Sequence, residues 1–179
     1  MFEAQTKPIT IDEFITLALL PENAERNLEF VNGEILEKMP SSSRNSTSAF
    51  MIGHVTQSYC ETNDLPCYIS IGDGTYRVDT NVVAPDFAYK PTPTVADYPD
   101  PEPPLWVAEV ISPNDKVHDI NAKRRKYVEA GILYWELYPD ERLIDVYAPG
   151  KAMATYGIDA SIPVEVIAGL SVPVSKLFR

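Results

Sequence analysis

The chain has 179 residues, 45% of them hydrophobic, which is enough to bury one core and too few for two ordinary domains. No stretch approaches the roughly 18 consecutive apolar residues of a membrane helix, and the start MFEAQTKPITIDEF lacks the basic head and apolar run of a secretory leader; a single cytoplasmic domain spanning 1–179, with no membrane partner, is expected. A net charge of -11 excludes a protein that coats nucleic acid with its whole surface, although residues 116–126 (KVHDINAKRRK) concentrate five basic side chains against one acidic.

In chain order, Thr10 and Glu13 have capping-box spacing ahead of Phe14, Leu17 and Ala18, which predicts a helix over 11–20 that Pro21 ends. Asn32-Gly33 then separates two short runs, 27–31 and 34–39, as the turn of a tight type I′ hairpin. After the polar stretch SSSRNSTS, the spacing of Phe50, Met51, Val55 and Tyr59 predicts a second helix ending near Thr62. Cys60 and Cys67 have no zinc-site spacing and read as reduced thiols. Residues 67–89 are rich in Ile, Val, Tyr and Thr and broken by Gly72-Asp73-Gly74 and 79–81, as consecutive strands would be.

Six of the sixteen prolines fall between Pro91 and Pro104, which predicts an extended surface loop. Residues 105–111 then read as a buried strand, 119–130 as a helix closed by Gly131, and 133–137 and 142–147 as two further strands. A strand, a helix and a strand at this spacing predict a right-handed crossover, hence a mixed central sheet with helices packed on it.

Glu109 stands out because an ionised carboxylate inside LWVAEVI is costly to bury without a metal, a partner or a proton. The alternative places it at the strand end, reaching solvent or an arginine. Asp86 follows Pro85, which breaks the ladder and can free the next side chain for a ligand, although a Pro-Asp pair also marks ordinary turns. Asp119, Lys123 and Tyr127 share one helical face, as a site lysine with a supporting acid or as a solvated ion pair. Arg124 and Lys126 are candidate phosphate contacts or part of a solvated face. Glu29 and Glu34 flank the hairpin turn as supplementary acids, and neither His54 nor His118 has a metal-ligand partner on its own helical turn. A carboxylate, a carboxylate on an apolar strand and a lysine on the next helix form the set that magnesium-assisted phosphodiester hydrolysis requires, since Mg²⁺ takes oxygen ligands and the attacking water must be oriented.

Four blocks in this order, LEFVNGEILEKMP (28–40), VVAPDFAYK (82–90), LWVAEVISPND (105–115) and DINAKRRKYVEAGILYWELYP (119–139), resemble the PD-(D/E)XK nuclease superfamily and, within it, the bacterial Uma-type family. The resemblance implies an α/β, restriction-endonuclease-like fold. It also implies Asp86 and Glu109 as ligands of Mg²⁺ (with Mn²⁺ able to substitute), Lys123 as the relocated basic residue, Glu29 as a supporting acid, and Tyr127, Tyr134 and Trp135 as structural residues. Ile111 stands where the superfamily's usual lysine would be, and Asn45 where the family often has histidine.

The implied activity is endonucleolytic hydrolysis of DNA by a homodimer, with Leu170, Val172, Leu177 and Phe178 available for the dimer interface or for the core. The alternatives are a nuclease-fold binding or assembly module without catalysis, and a metal-dependent hydrolase of another substrate. No G-x-S-x-G or P-loop motif supports a serine hydrolase or a nucleotide-binding enzyme.

Overall fold

The computed structural model describes residues 9–178. Both halves of the capping box form at Thr10 and Glu13 and start helix α1 (Ile11–Ala18), which ends slightly early because Leu19 is already its C-cap. Asn32 and Gly33 take φ of 55° and 85°, the two left-handed positions of a type I′ turn, and join strands β1 (Leu28–Val31) and β2 (Glu34–Glu37).

Helix α2 (Ser43–Thr62) begins well before the apolar spacing suggests. Ser42 caps it by accepting the Asn45 amide, so the polar stretch is its first turns and not a loop. Phe50, expected to face the core, is exposed and stacks on His54, while Ala49, Met51 and Ile52 are buried.

Strands β3 (Tyr68–Ile71), β4 (Tyr76–Val78), β5 (Asn81–Val83) and β6 (Phe87–Lys90) follow, divided between two sheets. β4 and β5 extend the hairpin into a four-stranded sheet of order β2-β1-β5-β4. The proline-rich segment has no helix or strand, yet it is not wholly on the surface. Its Asp100 is buried, bridges to Tyr76 and pairs at 2.7 Å with the buried Lys90 ammonium, which pins the loop to the end of β6.

The second sheet gains β7 (Trp106–Val110), β8 (Leu133–Tyr138), β9 (Leu143–Tyr147) and β10 (Ala154–Tyr156), with helix α3 (Val117–Glu129) connecting β7 to β8. Its order is β10-β9-β8-β7-β6-β3, antiparallel except for the parallel β7/β8 pair joined through α3. The expected mixed sheet flanked by helices is therefore present. Gly131, at φ 70°, lets the chain leave α3 in the left-handed conformation that a side chain would disfavour.

Alternation along β7 sends Trp106, Ala108 and Val110 into the core beneath α2, and Val107 with Glu109 towards α3. No described helix is long and apolar enough to cross a membrane.

After β10 the chain adds a small pair, β11 (Ser161–Pro163) and β12 (Ser171–Pro173), which the sequence reading did not anticipate. Leu170, Val172, Leu177 and Phe178 are exposed by 3%, 0%, 0% and 8%, and pack in the core beneath α2. They close the domain, so a dimer surface cannot be built from them. Replacing the fully buried Leu177 with alanine should cost about 2–5 kcal/mol in urea unfolding, independently of protein concentration. A loss that scales with concentration would instead indicate an interface role.

Candidate active site

Side chains from both sheets and from α3 meet where β6 begins and β7 ends. Phe87 pairs with Ala108, so one further step along the antiparallel register sets Asp86 opposite Glu109, with both side chains on one face. Pro85 has already interrupted the ladder there. The Val110 amide donates to Asp86 Oδ2 at 2.8 Å, which fixes the carboxylate at the mouth of the strand pair.

Glu29 reaches the same place from β1. Although it is a hairpin acid, it is buried, and its Oε1 accepts the Ala84 amide at 2.8 Å. Lys123 descends from α3 and places its ammonium 3.0 Å from Glu109 Oε1 and 2.8 Å from Glu29 Oε2. One turn later on the same helical face, Tyr127 donates its hydroxyl to Glu109 Oε1 at 3.2 Å. Tyr127 is thus more than the packing residue the resemblance implies.

Lys38, which the sequence reading passed over, completes the cluster. Its ammonium lies 2.7 Å from Asp86 Oδ1 and donates to the Ala84 carbonyl at 2.8 Å. The sequence did carry a signal for it. Once Asn32-Gly33 fixes the turn, Glu29 pairs with Leu36, and alternation puts Lys38 on the same face as both.

Three carboxylates (Glu29, Asp86, Glu109) therefore face two ammonium groups (Lys38, Lys123). Burial pushes the Glu109 carboxyl up to about 7, with Lys123 and then Lys38 opposing the shift. Burial alone would lower the Lys123 ammonium, but Glu109 and Glu29 outweigh it and hold the group above its ordinary value. Burial raises the Tyr127 phenol, which keeps it a hydrogen-bond donor.

The other expected residues lie outside this cluster. Arg124 clamps the fully buried Glu136 through two bonds of 2.8 and 2.7 Å, with its guanidinium 5.0 Å from the centre of the Tyr147 ring. Tyr134, Tyr138 and Tyr147 also donate to Glu136. Lys126 pairs with Glu129 in the next turn, Asp119 with His118, and Glu34 is exposed.

A cleft of about 840 Å³ opens between the hairpin, the start of α2 and the β3–β4 turn, and Lys38, Asp86, Asn45 and Tyr98 lie on its wall. Glu109 and Lys123 are not among the residues lining it.

Among the described residues, no three His, Cys, Asp or Glu side chains are arranged to hold a metal. The chemistry available is a pair of carboxylates, Asp86 and Glu109, and Glu109 Oε2 accepts no hydrogen bond from any described residue. Magnesium typically takes one or two protein carboxylates and completes its shell with water and phosphate oxygens, so this donor set fits it.

Two outcomes test this geometry. A carboxyl titration of Glu109 followed by carbon-detected NMR should centre near pH 7 in the folded protein, against the ordinary 4.5, and higher still in Lys123→Met. Because the fold keeps this proton after the unfolded chain has lost it, the stability contributed by Glu109 should fall as pH rises from about 4.5 to about 7. A midpoint near 4.5 would contradict the buried arrangement. Arg124→Ala should strand Glu136 and lower unfolding stability by about 3 kcal/mol; a stability unchanged by the substitution would show that the clamp contributes nothing.

Comparisons with known proteins bear on the fold and on the family. A structure from Anabaena variabilis, described as “a putative nuclease belonging to DUF820”, superposes with a TM-score of 0.76 at 21% identity, covering 96% of this chain and 98% of that one. At that identity the likeness establishes the fold, which is restriction-endonuclease-like. A comparison with curated proteins finds no match. The profile of the Uma2 family, described as “Putative restriction endonuclease”, matches residues 11–175, and the chain belongs to that family.

Proposed function

We propose that this chain is a divalent-cation-dependent endonuclease that hydrolyses DNA phosphodiester bonds, with Mg²⁺ held by Asp86 and Glu109 and Mn²⁺ able to replace it. The observation that carries this reading is the convergence of Asp86, Glu109, Glu29 and Lys123, far apart in sequence, on one cluster beside an open cleft. Family membership supports the reaction class.

When bound, magnesium supplies Lewis-acid polarisation of a phosphate oxygen and lowers the pKa of water. The residues of the chain prepare for that. Val110 and Ala84 amides orient the Asp86 and Glu29 carboxylates, and Tyr127 with Lys123 holds Glu109 Oε1, which leaves Oε2 for a ligand. Lys123 also keeps enough positive charge nearby for Glu109 to ionise close to neutral pH despite its burial. Phosphoryl chemistry adds negative charge in the transition state, and the ammonium groups of the cluster favour it.

The homodimer implied by the family resemblance would present two such clusters to one duplex. Its surface must lie outside the C-terminal core residues.

Purified protein should nick or linearise supercoiled plasmid with Mg²⁺ or Mn²⁺ and lose about 100-fold or more of that rate in Asp86→Asn and Glu109→Gln, each still folded by circular dichroism at the assay temperature. Wild-type protein that cuts no DNA with either ion would overturn the proposal. If Mn²⁺ binding, followed by calorimetry, were also insensitive to Asp86 and Glu109, the chain would be a non-catalytic module of the same fold.

A further inference from the structure

We infer that Lys38 is a catalytic lysine of this site, and that its ammonium, in preference to that of Lys123, contacts a non-bridging oxygen of the scissile phosphate. The inference rests on the nuclease reading above and assigns a role within it.

Access separates the two lysines first. Lys38 lies on the wall of the 840 Å³ cleft beside Asp86, with 18% of its side chain exposed. Lys123 is not on that wall, and Glu29 and Glu109 enclose its ammonium, with the Tyr127 hydroxyl on the same Glu109 oxygen. A polymeric substrate in the cleft meets Lys38 without rearranging the interior.

Commitment separates them next. The Lys123 ammonium bridges two carboxylates whose side chains are exposed by only 3% and 8%, so withdrawing it would strip two buried negative groups of their one direct ion-pair partner. Lys38 serves one carboxylate oxygen and one carbonyl. Asp86 would keep its bond from the Val110 amide if Lys38 moved away, and among the described residues nothing else accepts from the third Lys38 N–H.

Competition supplies the trigger. Asp86 Oδ1 cannot serve both the Lys38 ammonium and a divalent cation without bringing two positive charges into contact. With a cation held by Asp86, the Lys38 ammonium would turn towards the cleft, where a phosphate oxygen would replace Asp86 as its acceptor. In the reaction the water oxygen forms a bond to phosphorus, and the bond from phosphorus to the leaving oxygen breaks. One water proton reaches that leaving oxygen through solvent, and the rest of the water stays on the new phosphate group. Lys38 remains an ammonium throughout and acts by charge alone.

The test uses Lys38→Gln, which keeps a short hydrogen-bond donor near Asp86 without the charge, and Lys38→Arg, which restores the charge. Against plasmid DNA, Lys38→Gln should lose about 100-fold in kcat with a smaller change in KM, and Lys38→Arg should recover about tenfold of that loss. Calorimetry without DNA should show Lys38→Gln binding Mn²⁺ about fivefold more tightly than wild type, since the competing ion pair is gone. A lysine that merely fastens the hairpin would lower the unfolding temperature and leave kcat and Mn²⁺ affinity alone. Folded Lys38→Gln that cuts at the wild-type rate, or binds Mn²⁺ no more tightly, overturns this role and leaves the nuclease reading intact. Wild-type protein that cuts nothing overturns both.

Discussion

A carboxylate on the parallel strand pair at the middle of a sheet has little access to water, and leaving it charged there without compensation would cost several kcal/mol. Glu109 is 6% exposed on β7, and the Lys123 ammonium on the crossover helix answers it. The crossover is therefore tied down by polar as well as apolar contacts. Tyr127 and Ala122 pack α3 on the sheet, while Lys123 and its neighbour Arg124 each reach a buried glutamate. Glu109 and Glu136, the two glutamates, are register partners on adjacent strands. One helical turn thus locks the orientation of α3 twice, once beside the cleft and once away from it.

Different residues were legible in the sequence for different reasons. Thr10 with Glu13, and Asn32 with Gly33, act through local backbone chemistry and could be read directly. Glu109 stood out because it breaks an apolar strand, and Lys123 because it follows at helical spacing. What depends on contact between distant segments was harder to see. Lys38 looks like an ordinary strand-end lysine until the hairpin folds it onto Asp86. Arg124 looks like one of a basic run until β8 presents Glu136. The start of α2 was hidden by its serines, which are poor helix formers in the interior and good ones at a cap. β10, β11 and β12 span three residues each, too short for alternation to show.

The acidic net charge also looks different with the site in view. Many of the basic groups near the cluster are already matched: Lys38 by Asp86, Lys123 by Glu29 and Glu109, Arg124 by Glu136, Arg26 by Glu37. Such pairing leaves little unopposed positive field to attract DNA from a distance, so engagement would depend on local contacts and on the cation itself. A cluster with three carboxylates against two ammonium groups is poised to accept positive charge.

Anomalous diffraction from crystals of the protein soaked with Mn²⁺ tests the central claim most directly. The account predicts a peak bounded by the carboxylates of Asp86 and Glu109, with the Lys38 ammonium moved off Asp86 and Lys123 still between Glu29 and Glu109, and no peak in Glu109→Gln. Absence of a peak there at saturating Mn²⁺, with Lys38 still seated on Asp86, would contradict it.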